Sequence, residues 1–391
     1  MRRVVVTGIG PVTALGIGKE AFWDSIINQD MIIKAIPKEY EKNYHYKSRF
    51  YVPKPEVVLE EENSMMGESS KFARVAAKLA LLDSELTDYR DAGVILGIGM
   101  SSLKTAFTSY EAHTTGEGRF NRMVIPILMP NSASAWVAIA CGIQGVNYTV
   151  NAACASGSMA IGEAFLNIKN GRLDVALAGG TECLDDEEGA IMRGFDMLTT
   201  LTTSPDGKPI PFSKDRSGFL FNMGASCILV LEELSHALKR KAPIYAEILD
   251  YEANCDAGSI IQMNPQGEKI EALFSKVHEL PIDYINTHGT GTIQNDAIEA
   301  NLIQKLFPKM PYVGATKSIL GHSIGASGAL EAAVTVLSIK NKRIHGTLSH
   351  NMIENLNVPT KAINLDINYA ISTSYGFGGH NSLLLFKKYD A

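Results

Sequence analysis

Residues 155–172 read ASGSMAIGEAFLNIKNGR and residues 326–343 read ASGALEAAVTVLSIKNKR, so a constant offset of 171 makes eight of eighteen positions identical. The shared letters cluster. A small-residue start, Ala-Ser-Gly, and an exit, Ile-Lys-Asn-x-Arg, bracket an apolar helix in each copy. A unit repeated at this distance implies two α/β halves of similar build, each carrying a key helix reached through a small-residue turn. If the halves pair, both turns face one central site. A chain of 391 residues is long enough for two such coupled cores. The expected division is 1–240 and 241–391.

The hydrophobic pattern fits an alternating α/β chain. Strand-like runs fall at 4–7, 92–97, 146–150, 175–178, 227–232, 244–250, 284–286 and 382–386, and several are continuously apolar, as strands covered on both faces are. Helical periodicity covers 20–27, 68–83, 156–169, 266–277, 296–306 and 325–340. Residues 31–63 are rich in Pro, Lys, Tyr and Glu with weak periodicity, and read as a long surface excursion ending in a solvated Glu60-Glu61-Glu62 run.

Several function classes drop out. A net charge of −6 gives no reason to expect a nucleic acid partner. Five cysteines (141, 154, 183, 227, 255) without CxxC spacing suit a reducing compartment and disfavour a disulfide framework or a zinc site. The apolar run after Arg2-Arg3 stops at Gly8-Ile9-Gly10-Pro11, so it reads as a first strand and not as a leader; no membrane span is expected. The cytoplasm is the expected location. The same opening lacks GxGxxG spacing, which argues against a dinucleotide site.

Chemistry concentrates in four places. Cys154 lies in Asn151-Ala152-Ala153-Cys154-Ala155-Ser156-Gly157, at a strand-to-helix junction. The unpaired N–H groups and positive dipole end of a helix favour thiolate there. His288 (in NTHGTGT) and His322 (in TKSILGHSIGA) occupy glycine- and hydroxyl-rich loops, where active-site groups gather and a ligand can approach closely. Thr290 and Thr292 are placed to donate to an extended polar arm. Asp296 lies at or near the start of a helix, a capping arrangement that also suits holding the His288 loop, with structural support as its role. The loop SYGFGGHN (374–381) reads either as half of an oxyanion hole or as a tight turn, and by itself it favours the turn. Cysteine plus two histidines without a third ligand motif is a weak zinc pattern, so no metal is expected.

Taken in order, RRVVVTGIGPVTALG, NAACASG, NTHGTGT, TKSILGHSIGASGALEA and GFGGHN resemble the β-ketoacyl-acyl carrier protein synthases of the KAS II type, in the thiolase superfamily. The likeness spans nearly the whole chain and is weakest over 31–63. It implies a thiolase fold, two duplicated α/β halves in α-β-α-β-α layers. It also implies a decarboxylative Claisen condensation without cofactor, the substrates riding on the phosphopantetheine of acyl carrier protein. By the same resemblance Cys154 carries the acyl group, while His288 and His322 bind the malonyl thioester carbonyl. Lys317 orients the second histidine through a network with Glu331. The backbones of Cys154 and Phe377 form an oxyanion hole, Phe377 gates acyl loading, and Thr290 and Thr292 contact phosphopantetheine. Acyl carrier protein and a dimer partner, a second copy or a chain-length-factor-like subunit, are implied as well. Lys71, Arg74 and Lys208 are candidate docking cations.

Two features depart from the pattern or refine it. Where the family usually runs Gly-Glu-Gly, this chain has Asn222-Met223-Gly224. The run GTGTIQND resembles ketosynthase subunits of type II polyketide systems, so a polyketide or polyene pathway stands beside fatty acid synthesis. A thiolase would need a second late cysteine, and nothing after Cys255 supplies one. A KAS III-type initiator would carry Asn in place of His322. The rival from a non-enzyme class, a non-catalytic chain-length factor, would lack the cysteine.

Overall fold

The continuous apolar runs lie at the centre of a large sheet. The computed structural model describes residues 2–59, 65–353 and 355–390. The first half supplies β1 (Val4–Thr13), β2 (Gly93–Gly97), β3 (Asn147–Val150), β4 (Val175–Cys183) and β5 (Gly224–Glu233). The second half supplies β6 (Ala246–Cys255), β7 (Tyr284–Asn286), β8 (Tyr312–Gly314), β9 (Tyr369–Gly376) and β10 (His380–Lys387).

Their spatial order is β3-β2-β4-β5-β1-β6-β10-β9-β7-β8. Read from its own outer edge, each half therefore has the same order: third, second, fourth, fifth, first. Pairing directions repeat too. The second strand is parallel to the third and fourth, and the fifth is antiparallel to the fourth and first. The halves join where Val4–Val6 pairs antiparallel with Ala246–Ile248. The 171-residue echo is thus the visible remnant of a duplicated topology.

Side-chain alternation along the strands builds the layers. In β5, Ala225, Cys227, Leu229 and Leu231 point into one core while Ile228 and Val230 point into another. In β10, Leu384 and Phe386 join the first core, and Leu383 and Leu385 a third. The shared core holds the helices of the echo, α3 (Ser156–Lys169) and α7 (Ser327–Asn341), covered by strands of both halves. Outside the first half lie α1 (Glu68–Ser84) and α2 (Ser132–Cys141). Outside the second lie α4 (Glu268–Phe274) and α5 (Ile293–Leu306). The result is the α-β-α-β-α layering of a thiolase fold. No helix among the described residues is long and apolar enough to cross a membrane.

The segment expected as a surface excursion is a correction. Residues 38–52 fold inward: Tyr40, Tyr46, Tyr51 and Val52 are buried, and Phe50–Val52 pairs with Phe221–Asn222. The tyrosines of this segment supply apolar rings to a cluster that includes Cys154, Phe219, Phe221 and Met223. Glu60-Glu61-Glu62 lies outside the described residues.

Candidate active site

Each central helix begins with the same construction. A one-turn 3-10 segment, Ala153–Ala155 or Ile324–Ala326, precedes it. Ala153 and Ile324 take left-handed φ values of 49° and 48°, a costly geometry for a residue with a Cβ that persists only where surrounding structure enforces it. Ser156 Oγ accepts the Ala152 N–H at 2.9 Å, and Ser327 Oγ accepts the Ser323 N–H at 3.0 Å. The two turns meet through glycine: a Cβ on Gly157 would lie 2.9 Å from Ala329 N and Gly325 O, and one on Gly328 would lie 2.8 Å from Ser158 N.

The copies differ where chemistry would occur. At the 171-residue offset, Cys154 corresponds to Gly325. The strand registers make Glu182 of β4 the counterpart of Gly376 of β9. Gly376 leaves room beside Cys154 N, where its Cβ would be 3.1 Å away. At the second turn the Glu182 carboxylate fills the equivalent place, accepting N–H groups from Gly325 (3.1 Å), Gly99 (2.8 Å) and Met100 (3.1 Å). Burial pushes this carboxyl up to about 8, against those backbone donors.

One cavity of about 230 Å³ opens over the first turn. Cys154, His288, His322, Thr290, Thr292 and Phe377 all line it, so residues far apart in sequence converge. The imidazoles of His288 and His322 stand edge to face with centroids 5.6 Å apart. Lys317 Nζ donates to His288 Nδ1 at 3.2 Å and to the His288 carbonyl at 2.8 Å, and pairs with Glu331. His322 Nδ1 meets Ser327 Oγ at 2.9 Å, and Phe219 packs on its ring. Burial, then the Lys317 charge, holds both imidazoles well below the ordinary 6.5, so they are neutral at pH 7. An ammonium only donates, so His288 Nδ1 accepts and the ring proton is on Nε2. Burial lifts Glu331 to about 7 against its lysine.

Two expectations are corrected here. Lys317 holds the first histidine, His288, and not His322. It stands at the start of α6 (Lys317–Leu320), on the far side of that helix turn from His322, and its amine reaches back to the loop after β7. The expected helix-end preference for thiolate is outweighed by burial. Cys154 is 6% exposed, and burial pushes its thiol up to about 12, against the Lys317 charge and a hydrogen bond from the Phe377 backbone.

Asp296 sits within the first turns of α5, not at its cap, which is Thr292. Its carboxylate accepts from Phe212 N–H at 2.8 Å and Gly291 N–H at 3.2 Å, bracing the loop beyond His288. Thr290 and Thr292 hydroxyls lie 2.8 Å apart. Of the candidate docking cations, Lys208 pairs with Asp206 on a loop that adjoins the threonines, since a Cβ on Gly291 would touch Pro209 O. Lys71 pairs with Glu68, and both Lys71 and Arg74 lie on α1, away from the cavity lining.

Sequence reasoning missed Glu299, whose carboxylate accepts the N–H groups of His288 (2.9 Å) and Gly289 (2.8 Å). It also missed Ser327, although the echo had aligned it with Ser156. No group of three His, Cys, Asp or Glu side chains able to hold a metal occurs among the described residues.

Comparison with known proteins decides the family. Residues 1–237 match the profile of the beta-ketoacyl synthase N-terminal domain, and residues 245–351 that of its C-terminal domain. The chain belongs to the β-ketoacyl synthase family. Among its curated relatives, 3-oxoacyl-[acyl-carrier-protein] synthase 1 of Buchnera aphidicola is 35% identical, with all of both chains covered. The corresponding synthase 2 of Staphylococcus aureus is 33% identical, covering 100% of this chain and 99% of the relative. Among solved structures, a beta-ketoacyl synthase from Burkholderia phymatum superposes with TM-score 0.90 at 30% identity. The ishigamide ketosynthase/chain length factor does so with TM-score 0.89 at 28%, and both cover this synthase and themselves completely.

Proposed function

We propose that this protein condenses an acyl thioester with malonyl-acyl carrier protein, releasing CO₂ and giving β-ketoacyl-acyl carrier protein, in fatty acid or type II polyketide/polyene elongation. One observation carries the reading. Two neutral imidazoles have their Nδ1 atoms occupied by Lys317 and Ser327, and both line a cavity shared with a buried cysteine.

The Cys154 sulfur attacks the acyl thioester and its proton leaves with the departing carrier thiol, so the high resting pKa of the thiol is no obstacle to exchange. The backbone N–H groups of Cys154 and Phe377 receive the oxyanion. The Phe377 ring moves aside during loading. Malonyl thioester then binds along Thr290 and Thr292, and its carbonyl oxygen accepts from both Nε2–H groups. Loss of CO₂ leaves an enolate stabilised by those donors, which attacks the Cys154 thioester and frees the sulfur. Lys317 and Glu331 fix the His288 tautomer, and Asp296 holds the loop. The scheme uses no cofactor.

We place the boundary between halves at 240/241 and the enzyme in the cytoplasm, in keeping with its free cysteines. A dimer is supported by exposed apolar side chains on α2, which packs on edge strand β3, and on the two helices that adjoin it in turn: Ile139, Ile125 and Tyr110 are 68%, 63% and 70% exposed. The partner is a second copy or a chain-length-factor-like subunit, distinguished by light scattering of the isolated chain. Carrier protein docks on cations at the mouth, Lys208 among them, with Lys71 and Arg74 as further candidates.

The deciding experiment is intact-mass analysis after mixing with acyl-acyl carrier protein, beside Cys154→Ala. An adduct on the wild type alone supports the scheme. A folded protein that takes no acyl group from any donor, with or without a partner subunit, favours a non-catalytic, chain-length-factor-type role.

A further inference from the structure

Asn222 takes no part in the scheme above, yet it is tied directly to the segment that carries His322. The short helix α6 ends at Leu320, and carbonyls at a helix C-terminus have no partner within the helix. Leu320 is buried, so water is a poor substitute. Asn222 supplies the donor: its Nδ2–H reaches the Leu320 carbonyl at 2.7 Å. Its Oδ1 accepts the Gly224 N–H at 2.9 Å, which fixes the amide to the first residue of β5.

The backbone continues the strap. Asn222 N–H donates to the His322 carbonyl at 3.3 Å, and His322 N–H donates to the Leu220 carbonyl at 2.8 Å. Leu220–Asn222 therefore lies alongside Gly321-His322 as a short parallel pair. The fit is close: Gly321 has φ +69°, and a Cβ there would come 2.8 Å from Leu220 O. At its other end α6 carries Lys317, which holds His288. A shift of α6 thus reaches both imidazoles. The Cys154 turn shares an apolar cluster with Phe221 and Met223 but has a polar brace of its own, Ser156 on α3, and no hydrogen bond to Asn222.

We propose that Asn222 is a positioning residue for decarboxylation: by capping α6 at Leu320 and bracing His322, it aims the two imidazole donors without acting on the nucleophile. This rests on the reading above that His288 and His322 stabilise the malonyl enolate. Misplacement of reacting groups by about 1 Å costs on the order of a hundredfold in rate, and that is the effect expected.

The test separates the two half-reactions. Asn222→Ala removes donor and acceptor together. Asn222→Asp keeps an acceptor for Gly224 but turns a carboxylate oxygen toward the Leu320 carbonyl. Both variants, with folding checked by thermal melting, are expected to convert malonyl- to acetyl-acyl carrier protein about a hundredfold more slowly. Acylation of Cys154 should stay within about threefold of wild type. Decarboxylation at the wild-type rate in a folded variant overturns the proposal, as does a parallel fall of both half-reactions. Failure of both variants to fold also overturns it, by making Asn222 a folding residue. A wild-type protein that performs neither half-reaction fails the functional reading itself, which is a different result.

Discussion

Replacing Gly376 by alanine adds one methyl group at the point where the oxyanion is proposed to form. The new Cβ would lie 2.4 Å from Ala152 O, 3.1 Å from Cys154 N and 3.2 Å from Ala155 N. The first distance is about 0.6 Å inside the 3.0 Å that real Cβ atoms keep, so the cysteine turn or β9 must move. Overpacking of this kind costs about 1–3 kcal/mol. At about 2.1 cal/mol/K of unfolding entropy per residue, a chain of this length then loses roughly 1–4 °C in Tm, and remains folded. Catalysis suffers more. Displacing one oxyanion donor costs on the order of 10²–10³ in rate, about 2.7–4 kcal/mol in the barrier. The assay is the rate of Cys154 acylation from acyl-acyl carrier protein, followed by intact mass, beside decarboxylation of malonyl-acyl carrier protein. Acylation should fall at least about a hundredfold, and decarboxylation, which is proposed to use the imidazoles, far less. A folded Gly376→Ala protein that acylates within about threefold of wild type would refute the placement of the oxyanion hole.

Other outcomes follow from the same geometry. Lys317→Ala strands the buried Glu331 carboxyl and should cost about 3–5 kcal/mol in urea unfolding. It should also abolish decarboxylation, because the His288 tautomer is no longer fixed, and the double change Lys317→Met/Glu331→Leu should restore stability but not activity. His345 is buried and burial lowers it to about 4. As pH falls through 6.5 the unfolded chain binds a proton that the folded chain refuses, so stability is full above 6.5 and is lost toward 4. The stability advantage of wild type over His345→Gln should therefore shrink by about 2–3 kcal/mol between pH 6.5 and 4.5; an unchanged difference would refute this. At Ala153, with φ 49°, Ala153→Val should lose about 1–3 kcal/mol in thermal melting while Ala153→Gly stays near wild type.

Strands of continuous valine, leucine and isoleucine, such as β2 and β5, were legible because both faces are buried. β9 was not. It reads Tyr-Ala-Ile-Ser-Thr-Ser-Tyr-Gly, polar by composition, yet Ser372, Thr373 and Ser374 are buried beside the two turns. Their hydroxyls hide a core strand from any hydrophobic count. The helix α2, Ser132–Cys141, lacked a clear polar face because Ile139 on its outer side is apolar and uncovered in the single chain. At the site, Cys154, His288 and His322 stood out through their glycine-rich settings. The partner of Lys317 did not, because the sequence places it five residues from His322, and only the α6 turn reveals that its amine reaches the other histidine. The state of the Cys154 thiol was misread for a related reason: helix-end electrostatics are local in sequence, whereas the burial that outweighs them comes from both halves.

The plugged second turn bears on the stoichiometry of the proposed reaction. A duplicated frame offers two equivalent turns, back to back and in contact through Gly157 and Gly325. At Gly325 a side chain would collide with Gly99 N at 2.3 Å and Glu182 Oε2 at 2.8 Å, so no second nucleophile fits at this turn. With Cys154 as the proposed acyl carrier, a saturating acyl label should end at one equivalent per subunit. The second half, which carries no cysteine at its turn, supplies instead His288 and His322, the donors of the proposed scheme.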